Sequence, residues 1–154
     1  MNLPPDWNDL IAGLNRHGVR FLIVGAHALA ANGRPRATQD LDIFVEPLLN
    51  NAQRLGEALR DFGFAALADE AHKFAEPDRM AVLGRPPLRI DIMTSIAGVD
   101  FDEAWRGRLE ARFGEHEVSF LGRNELIRNK RAAGRPKDLL DVALLEEGAS
   151  GDDA

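Results

Sequence analysis

The sequence predicts an α/β or α+β domain in which a mixed β-sheet is flanked by helices, with further helices at the C-terminal end. Three observations support this prediction. Helical and strand-like patterns of apolar residues alternate from residue 6 to residue 62. Two strand-like segments then flank a Gly- and Pro-rich turn at 84–87, as in a β-hairpin. The segments after residue 123 are helical in pattern, and this order of elements is typical of layered α and β folds.

The first half of the chain is predicted to hold three helices and two strands. Each boundary depends on a local signal: a capping residue, a glycine that ends a helix, or a proline that breaks one. Side chains alternate along a strand, so Asp40, Asp42 and Phe44 share one face of the second strand. In chain order the predicted elements are a helix with Asp6 as its N-cap that ends before Gly18, a strand at 19–24, a short helix at 26–32, a loop at 34–36, a strand at 40–45 and a helix at 48–62.

The second half is predicted to hold a hairpin, one more strand and three helices. In the second arm of the hairpin, Arg89 and Asp91 share a face, because they are two residues apart. The apolar residues of the last helix are predicted to face the core, namely Leu139, Leu140, Ala143 and Leu144. In chain order the predicted elements are strands at 80–83 and 88–93, a helix at 101–105, a strand at 118–121, a helix from Asn124 as its N-cap to 133, and a helix at 137–147.

Size and composition fit a single domain at 1–147 followed by a disordered tail at 148–154. The chain has no cysteine, so any metal must bind carboxylates or histidines, and such ligands favour hard ions such as Mg²⁺ or Mn²⁺. A net charge of −6 argues against nonspecific coating of a polyanion. No signal peptide and no apolar run of membrane-spanning length are recognised, so we expect a cytoplasmic protein without a membrane partner.

Asp40 and Asp42 form the most informative pattern in the chain. Carboxylates two residues apart on a strand lie about 6–7 Å apart, and they repel one another unless they are solvated or share a cation. The apolar neighbours Leu41 and Ile43 argue against a fully solvated strand. A divalent cation therefore fits, and Asp91, on another apolar strand, can complete the site. The alternative is an edge strand whose acidic face discourages aggregation.

The segment between the first two strands carries residue types that bind phosphate. Gly25 ends a strand where a helix begins, and backbone N–H groups at such a point can bind an anion. Arg34, Arg36 and Thr38 follow, and the forked guanidinium group of arginine suits phosphate oxygens. The alternatives are an ordinary turn glycine and solvated loop charges. His27 lies just beyond the turn, close enough in sequence to reach a ligand.

Together these motifs resemble the DNA polymerase β-like nucleotidyltransferase superfamily. The resemblance is carried by Gly25-Ala26, by the segment 36–43 and by Asp91 with its apolar neighbours. The segment 126–142 is similar to a C-terminal segment of the small bacterial AbiEii/MenT-type nucleotidyltransferase toxins and their relatives. The family usually has Gly-Gly or Gly-Ser at the turn. Ala26 lacks the hydroxyl of that serine but keeps the backbone N–H.

The resemblance implies the nucleotidyltransferase fold and a two-metal transfer of a nucleoside monophosphate from an NTP to an acceptor such as tRNA or protein. Mg²⁺ or Mn²⁺ would be held by Asp40, Asp42 and Asp91, and Asp91 could also accept the proton of the acceptor. The nucleotide-binding residues implied are Gly25, Ala26, Arg36, Thr38, Lys130 and Lys137. Lys137 is also spaced to form an ordinary ion pair with Asp141.

The resemblance allows two biological interpretations. In the first, the protein is a catalytic, toxin-like component with a possible cognate antitoxin. In the second, it is a non-catalytic nucleotide sensor or a partner-binding member of a toxin–antitoxin or defence pair. Ala26 and the small size favour the second interpretation, whereas the complete set of three aspartates favours the first.

Overall fold

The computed structural model describes the backbone of residues 2–152 and the side chains of residues 2–148. Helices and strands follow one another along this part of the chain. In chain order the elements are α1 (Pro5–Arg16), β1 (Phe21–Val24), α2 (Gly25–Ala31), β2 (Asp40–Val45), α3 (Leu49–Phe62), α4 (Ala65–Asp69), a 3₁₀ helix (Ala71–Ala75), β3 (Met80–Leu83), β4 (Arg89–Met93), α5 (Phe101–Arg106), β5 (Leu109–Phe113), β6 (His116–Phe120), α6 (Arg123–Ala133) and α7 (Pro136–Asp152).

The six strands form one mixed sheet in the order β3-β4-β2-β1-β6-β5. At its centre β2 pairs in parallel with β4 and antiparallel with β1, and β1 pairs in parallel with β6. Two antiparallel hairpins, β3–β4 and β5–β6, form the edges of the sheet. The mixed sheet with its surrounding helices confirms the predicted fold class.

Most of the predicted elements are present, and β2 has the predicted bounds. α3 ends at Gly63, whose left-handed backbone (φ 101°) is a conformation that glycine adopts without strain. β5, α4 and the 3₁₀ helix have weak sequence signals. β5 lies at an edge and fully buries only Phe113, and α4 has no fully buried residue. In β5, Leu109, Ala111 and Phe113 alternate with charged residues over only five positions, and α4 is also only five residues long, so these patterns are too short to identify the elements.

Two predicted capping residues are wrong. α1 begins at Pro5 with Pro4 at the N-cap, because proline suits the first turn, where its missing N–H has no partner to lose. Asp6 lies inside that turn. Similarly, α6 begins at Arg123 with Gly122 at the N-cap, so Asn124 lies inside the helix.

α7 differs from its prediction in both length and orientation. It continues to Asp152, past the predicted end at Glu147, and positions 153 and 154 of the predicted tail lie outside the described residues. Leu139 and Leu140 are exposed, as is Ala143, whereas Leu144 is half-buried. The inward face instead carries two aspartates among apolar residues, at Asp138, Asp141, Val142 and Leu145. Ion pairs of Asp141 with the buried Lys130 and of Asp138 with the exposed Arg135 make this orientation possible.

The apolar core joins the helices to the sheet. α1 packs on α3, where Leu10, Leu14, Leu55 and Leu59 are all fully buried. The inner residues of the central strands, such as Leu41 and Ile43, are also fully buried. None of the helices that the structure describes is long and apolar enough to cross a membrane.

Asn51 ties α3 to the two central strands. Its side chain is buried, and its Oδ1 accepts a hydrogen bond from the backbone N–H of Arg20 at 2.7 Å. Its Nδ2 donates to the backbone carbonyls of Arg20 and Glu46, both at 3.0 Å. One side chain thereby satisfies three backbone groups at the start of β1 and the end of β2.

Replacement of Asn51 by alanine should destabilise the fold, because it removes three hydrogen bonds that a buried side chain makes to the backbone of Arg20 and Glu46. We expect Asn51→Ala to lower the free energy of unfolding by about 2–4 kcal/mol. Asn50→Ala is the matched control, since Asn50 is exposed on the same helix and should change stability by less than about 0.5 kcal/mol. Urea unfolding measures both, and equal effects would contradict this role of Asn51.

Candidate functional site

The register of the central strands places Asp42 beside Asp91. In the parallel β2–β4 pair, Asp42 lies opposite Asp91 and Asp40 lies opposite Arg89. Directly opposed residues in a sheet project to the same face. The structure therefore brings two of the predicted metal ligands next to each other, with Asp40 one pair further along the same face.

This face is open at one end and closed at the other. Along β2, Asp40 is exposed, Asp42 is half-buried and Phe44 is buried. Phe44 is covered by α5, where the Phe101 ring packs edge-on against it with ring centroids 5.1 Å apart. The acidic residues thus occupy the part of the face that α5 leaves accessible.

Gly25 closes the site from the side of β1. Val24, the last residue of β1, lies opposite Asp42, and Gly25 follows at the start of α2 with a left-handed backbone (φ 68°). A Cβ atom at position 25 would overlap the Asp42 carboxylate. Glycine is therefore required here for two reasons, the backbone conformation and the close approach of Asp42.

Arg89 is part of the site, although it is absent from the predicted site residues. Its Nε donates a hydrogen bond to Asp91 Oδ1 at 2.8 Å. Asp91 is only 8% exposed, so this cation compensates a nearly buried carboxylate. The available sequence signal was the spacing of two residues between Arg89 and Asp91, which places both on one face of β4.

The charge at the site is only partly compensated. Burial raises the pKa of Asp42 from 3.8 to about 6, and the neighbouring charges of Asp91 and Asp40 contribute in the same direction. A hydrogen bond between the carboxyl groups of Asp42 and Asp91 also favours the protonated form, whereas Arg89 opposes it. Without an added cation, Asp42 therefore tends to bind a proton.

The carboxylate oxygens of this site are chemically suited to a hard divalent cation, but they are not already arranged as a complete metal-binding site. Among the described residues, no group of three or more His, Asp or Glu side chains is arranged to hold a metal ion. Asp42 and Asp91 are adjacent carboxylates, and such oxygens suit Mg²⁺ or Mn²⁺. One oxygen of Asp91 is held by Arg89, and Asp40 is exposed at the rim.

The residues predicted to contact phosphate lie in different settings. Arg36 donates two hydrogen bonds to the Asp141 carboxylate, so its guanidinium group is engaged with α7. Thr38 Oγ1 accepts a hydrogen bond from the backbone N–H of Asp40 at 3.0 Å, which fixes the start of β2. Ala26 is half-buried in the first turn of α2.

Lys130 and Lys137 differ sharply in environment. Lys130 is buried, and its Nζ lies 2.9 Å from Asp141 and 3.6 Å from Asp138. Lys137 is exposed, and within the described part of the chain it forms no ion pair. The predicted pair between Lys137 and Asp141 is therefore wrong, because Asp141 faces inward and is bound by Arg36 and Lys130.

Asp141 is the centre of this ion-pair network. It is fully buried, and burial alone would raise its pKa. The hydrogen bonds from Arg36 and Lys130 outweigh burial and lower the pKa of Asp141, so the carboxylate stays ionised. Asp138 is also buried and accepts a hydrogen bond from Arg135 Nε at 2.6 Å, which lowers the pKa of Asp138.

Cavities lie on more than one side of the molecule. One of about 530 Å³ lies between α1, α3 and the β3–β4 hairpin, lined by Asp9, Arg16 and Asp61 among others. Neither Asp42 nor Asp91 lines this cavity, so it is separate from the acidic site despite its size. A smaller cavity of about 260 Å³ is lined by Asp40, Leu88 and Arg89, directly beside the acidic pair.

Comparisons with known proteins identify the fold. No family model and no curated protein matches the sequence. The structure is similar to that of a candidate nucleotidyltransferase from Thermotoga maritima, with a TM-score of 0.52 and 12% identity over 96% of this chain and 88% of that one. It is also similar to the lincomycin-bound lincosamide antibiotic adenylyltransferase LnuA, with a TM-score of 0.52 and 12% identity over 95% of this chain and 98% of LnuA. The chain therefore has the nucleotidyltransferase fold.

The uncompensated charge of Asp42 should appear as pH-dependent stability. Its pKa is higher in the folded protein, about 6, than the ordinary 3.8, so the folded state binds more protons between these values. The wild type should lose stability as the pH rises from about 4 to about 6 and change little from this group above that. Asp42→Asn cannot ionise, and we expect it to be more stable than the wild type by about 1–3 kcal/mol at pH 8 but not at pH 4.

Urea unfolding in the presence of a chelator measures this difference. Asp102→Asn is the control, because Asp102 is exposed on α5. If Asp42→Asn changed the free energy of unfolding by the same amount at pH 4 and pH 8, the ionised Asp42 would not destabilise the folded protein, and the prediction would be wrong.

The two lysines should differ in their contribution to stability. Lys130→Met leaves Asp138 and Asp141 buried with one cation fewer, and we expect a loss of about 3 kcal/mol in the free energy of unfolding. Lys137→Met removes an exposed ammonium group of the same kind and should cost less than about 0.5 kcal/mol. Urea unfolding at pH 7 tests both, and similar losses for the two variants would refute the buried network.

Proposed function

We propose that this protein is a metal-dependent nucleotidyltransferase that transfers a nucleoside monophosphate from an NTP to a hydroxyl-bearing acceptor. The observation that supports this most directly is the side-by-side placement of Asp42 and Asp91 at the open end of the sheet, on a nucleotidyltransferase fold. A fold alone does not establish chemistry. The paired carboxylates supply the residue-level support.

The raised pKa of Asp42 indicates what this site lacks. Burial and the charges of Asp91 and Asp40 raise this pKa, and Arg89 compensates the ionised carboxylates only in part. A divalent cation would compensate this remaining charge and, when bound, would stabilise the charge of the triphosphate and the leaving pyrophosphate. Asp42 and Asp91 would hold it, with Asp40 at the rim as a further ligand.

The remaining roles belong to residues of the chain itself. In the proposed reaction the acceptor oxygen attacks the α-phosphorus, the bond to pyrophosphate breaks, and the acceptor proton moves to Asp91. Arg89 holds Asp91 through one oxygen, so the other oxygen would bind the cation through one lone pair and accept the proton through its second. Gly25 keeps the backbone of α2 close to the acidic pair, where its N–H groups can meet phosphate oxygens.

Several classes of acceptor are compatible with this proposal. The sequence resemblance points to tRNA or protein, and to a toxin-like role in the cytoplasm with a cognate antitoxin. The similarity to LnuA, a lincosamide antibiotic adenylyltransferase, adds a small hydroxyl-bearing molecule as a third class. The match covers 98% of LnuA, so the two folds correspond over nearly the whole length of LnuA.

A second candidate function is nucleotide binding without transfer. It is favoured by the Arg89–Asp91 ion pair, which occupies one of the oxygens that a metal would use. It is also favoured by Ala26, which cannot offer a side-chain hydroxyl to phosphate. Under this hypothesis the carboxylates and Arg89 form a site that recognises a nucleotide and passes the signal to a partner.

The proposal predicts metal-dependent stabilisation by nucleotide. An NTP at about 100 times its dissociation constant should add about 2.7 kcal/mol to the stability of the wild type in the presence of Mg²⁺ or Mn²⁺. Asp42→Asn and Asp91→Asn should remove this increment, which is measured against the same variant without ligand. Glu115→Gln is the control, since Glu115 is exposed in the β5–β6 turn and should leave the increment unchanged.

Transfer is then measured with α-labelled NTP and tRNA, total protein or small hydroxyl compounds as acceptors. Incorporation of label that requires Asp42 supports catalysis. Metal-dependent stabilisation without incorporation into any of these would favour the nucleotide-binding function. If no NTP stabilises the wild type with either metal, both functions fail.

A further inference from the structure

The acidic pair lies in the middle of a row of residues that crosses the sheet. On one side of the pair, β1 ends at Val24 opposite Asp42, and α2 begins at Gly25. On the other side, Val82 of the edge strand β3 lies opposite Asp91. Because directly opposed residues project to the same face, Val82 borders the acidic pair on the side away from α2.

Val82 belongs to an exposed apolar strip. Val82 and Met80 are each 56% exposed. Met80 lies opposite Met93 and two residues from Val82, so both side chains project to the face that carries the acidic pair. The other face of β3 packs on the core, where Leu83 is buried. Single exposed apolar residues are common, whereas neighbouring ones beside a cavity indicate a contact surface.

The cavity of about 260 Å³ connects Val82 with the acidic site. Of the described residues that line it, only Asp40 and Arg89 are charged, and they lie opposite each other on β2 and β4. Arg89 also donates its hydrogen bond to Asp91, so the charged end of the cavity adjoins the acidic pair. The other end, at the β3–β4 turn, is lined by apolar residues and a glycine, namely Val82, Leu83, Gly84, Pro86, Pro87 and Leu88.

The proposed reaction gives the two sides of the acidic pair different partners. N–H groups of α2 near Gly25 would meet phosphate oxygens of the NTP, whereas Asp91 would accept the proton of the attacking hydroxyl. The acceptor therefore approaches on the Asp91 side, where Val82 is the next residue across the sheet. Adjacent strands are about 4.8 Å apart, so the part of the acceptor that contacts Val82 lies roughly 5 Å from that hydroxyl.

We propose that this cavity binds the acceptor, and that the acceptor carries a compact apolar group next to its attacking hydroxyl. The apolar group packs on Val82 and the turn at 84–87, and the hydroxyl lies at the charged end of the cavity beside Asp91. Apolar walls disfavour a charged or strongly hydrated group. This inference rests on the proposed function, because it assigns a substrate of that reaction.

The size of the cavity restricts the apolar group further. Sites for whole small-molecule ligands are about 300–1,000 Å³ in volume, and this cavity is about 260 Å³. It therefore accommodates one ring or a short branched chain, with the rest of the acceptor outside. A hydroxyl whose neighbours are all polar, as in a polyol or a ribose, does not match this site. A cyclic or aromatic alcohol matches it, and so does the tyrosine side chain of a protein.

Methyl groups of the cavity wall provide a direct test. The protein is labelled with ¹³C in its valine and leucine methyl groups, and Val82→Ile and Leu88→Ile identify the NMR signals of these two residues. Cyclohexanol, benzyl alcohol and N-acetyltyrosinamide are titrated to their solubility limits without metal or NTP, beside glycerol and ribose. We expect a saturable shift of both signals with at least one of the three apolar compounds and none with glycerol or ribose. Tighter binding of N-acetyltyrosinamide than of both alcohols identifies a protein as the acceptor, and the reverse order identifies a small molecule.

Two substitutions of Val82 test whether apolar packing is responsible. Val82→Thr keeps the shape of the side chain but replaces a methyl group by a hydroxyl, and we expect at least threefold weaker binding, measured at Leu88. Val82→Ile keeps an apolar surface and should bind within about twofold of the wild type. Both variants should fold, because Val82 is exposed and both new residues favour strands. The exposed leucines of α7, Leu139 and Leu140, are internal controls whose signals should not shift.

The outcomes distinguish this proposal from the proposed function. Equal shifts with glycerol or ribose, no saturable shift with any apolar compound, or undiminished binding in Val82→Thr would overturn the proposal and leave the NTP test unaffected. Binding at Val82 in a protein that no NTP stabilises would also overturn it, because the site would then not serve an acceptor, and the proposed function would have failed by its own test. A Val82 signal that shifts with protein concentration alone would assign the strip to contact between two copies of the chain, which again overturns the proposal.

Discussion

The repulsion between two carboxylates on adjacent parallel strands is the constraint on which this end of the molecule depends. The β2–β4 register places Asp42 and Asp91 side by side, and burial prevents water from screening them fully. Arg89 neutralises part of the charge, but burial and the charges of Asp91 and Asp40 still raise the pKa of Asp42. Gly25 is part of the same constraint, because any side chain there would overlap Asp42. A site that retains uncompensated charge in this way is suited to bind a cation or a proton.

The face of the sheet that carries this pair serves two purposes along its length. At one end Phe44 and Phe101 pack together and contribute to the core, whereas at the other end Asp40 and Asp42 remain accessible. α5 therefore limits how much of the face is available for chemistry. The part of β2 that packs into the core and the part that carries the aspartates are only a few residues apart. The position of α5 separates them, because α5 covers Phe44 but neither Asp40 nor Asp42.

Ion pairs of the C-terminal helices help to position the connection that leads into the acidic site. Asp141 of α7 is fully buried and binds both Lys130 of α6 and Arg36 of the connection that precedes β2. This network anchors the connection that leads into Asp40. Buried ion pairs add little stability compared with apolar packing, but loss of one partner is costly. Their effect here is to fix the position of a connection that has no regular secondary structure.

Much of the fold and part of the candidate site could be predicted from the sequence, because these features depend on local periodicity. Alternation along β2 placed Asp40 and Asp42 on one face, and the apolar strand with its glycine located β1 and the start of α2. Strand order, the pairing of Asp42 with Asp91 and the hydrogen bonds between Asn51 and Arg20 join residues that are distant in sequence. The inward orientation of Asp138 and Asp141 could not be predicted from local periodicity either, because such patterns assign charged residues to the surface and leucines to the core. Only the tertiary structure decided these features, because a buried charge is tolerated according to which partners the fold brings to it, and no spacing along the chain specifies those partners.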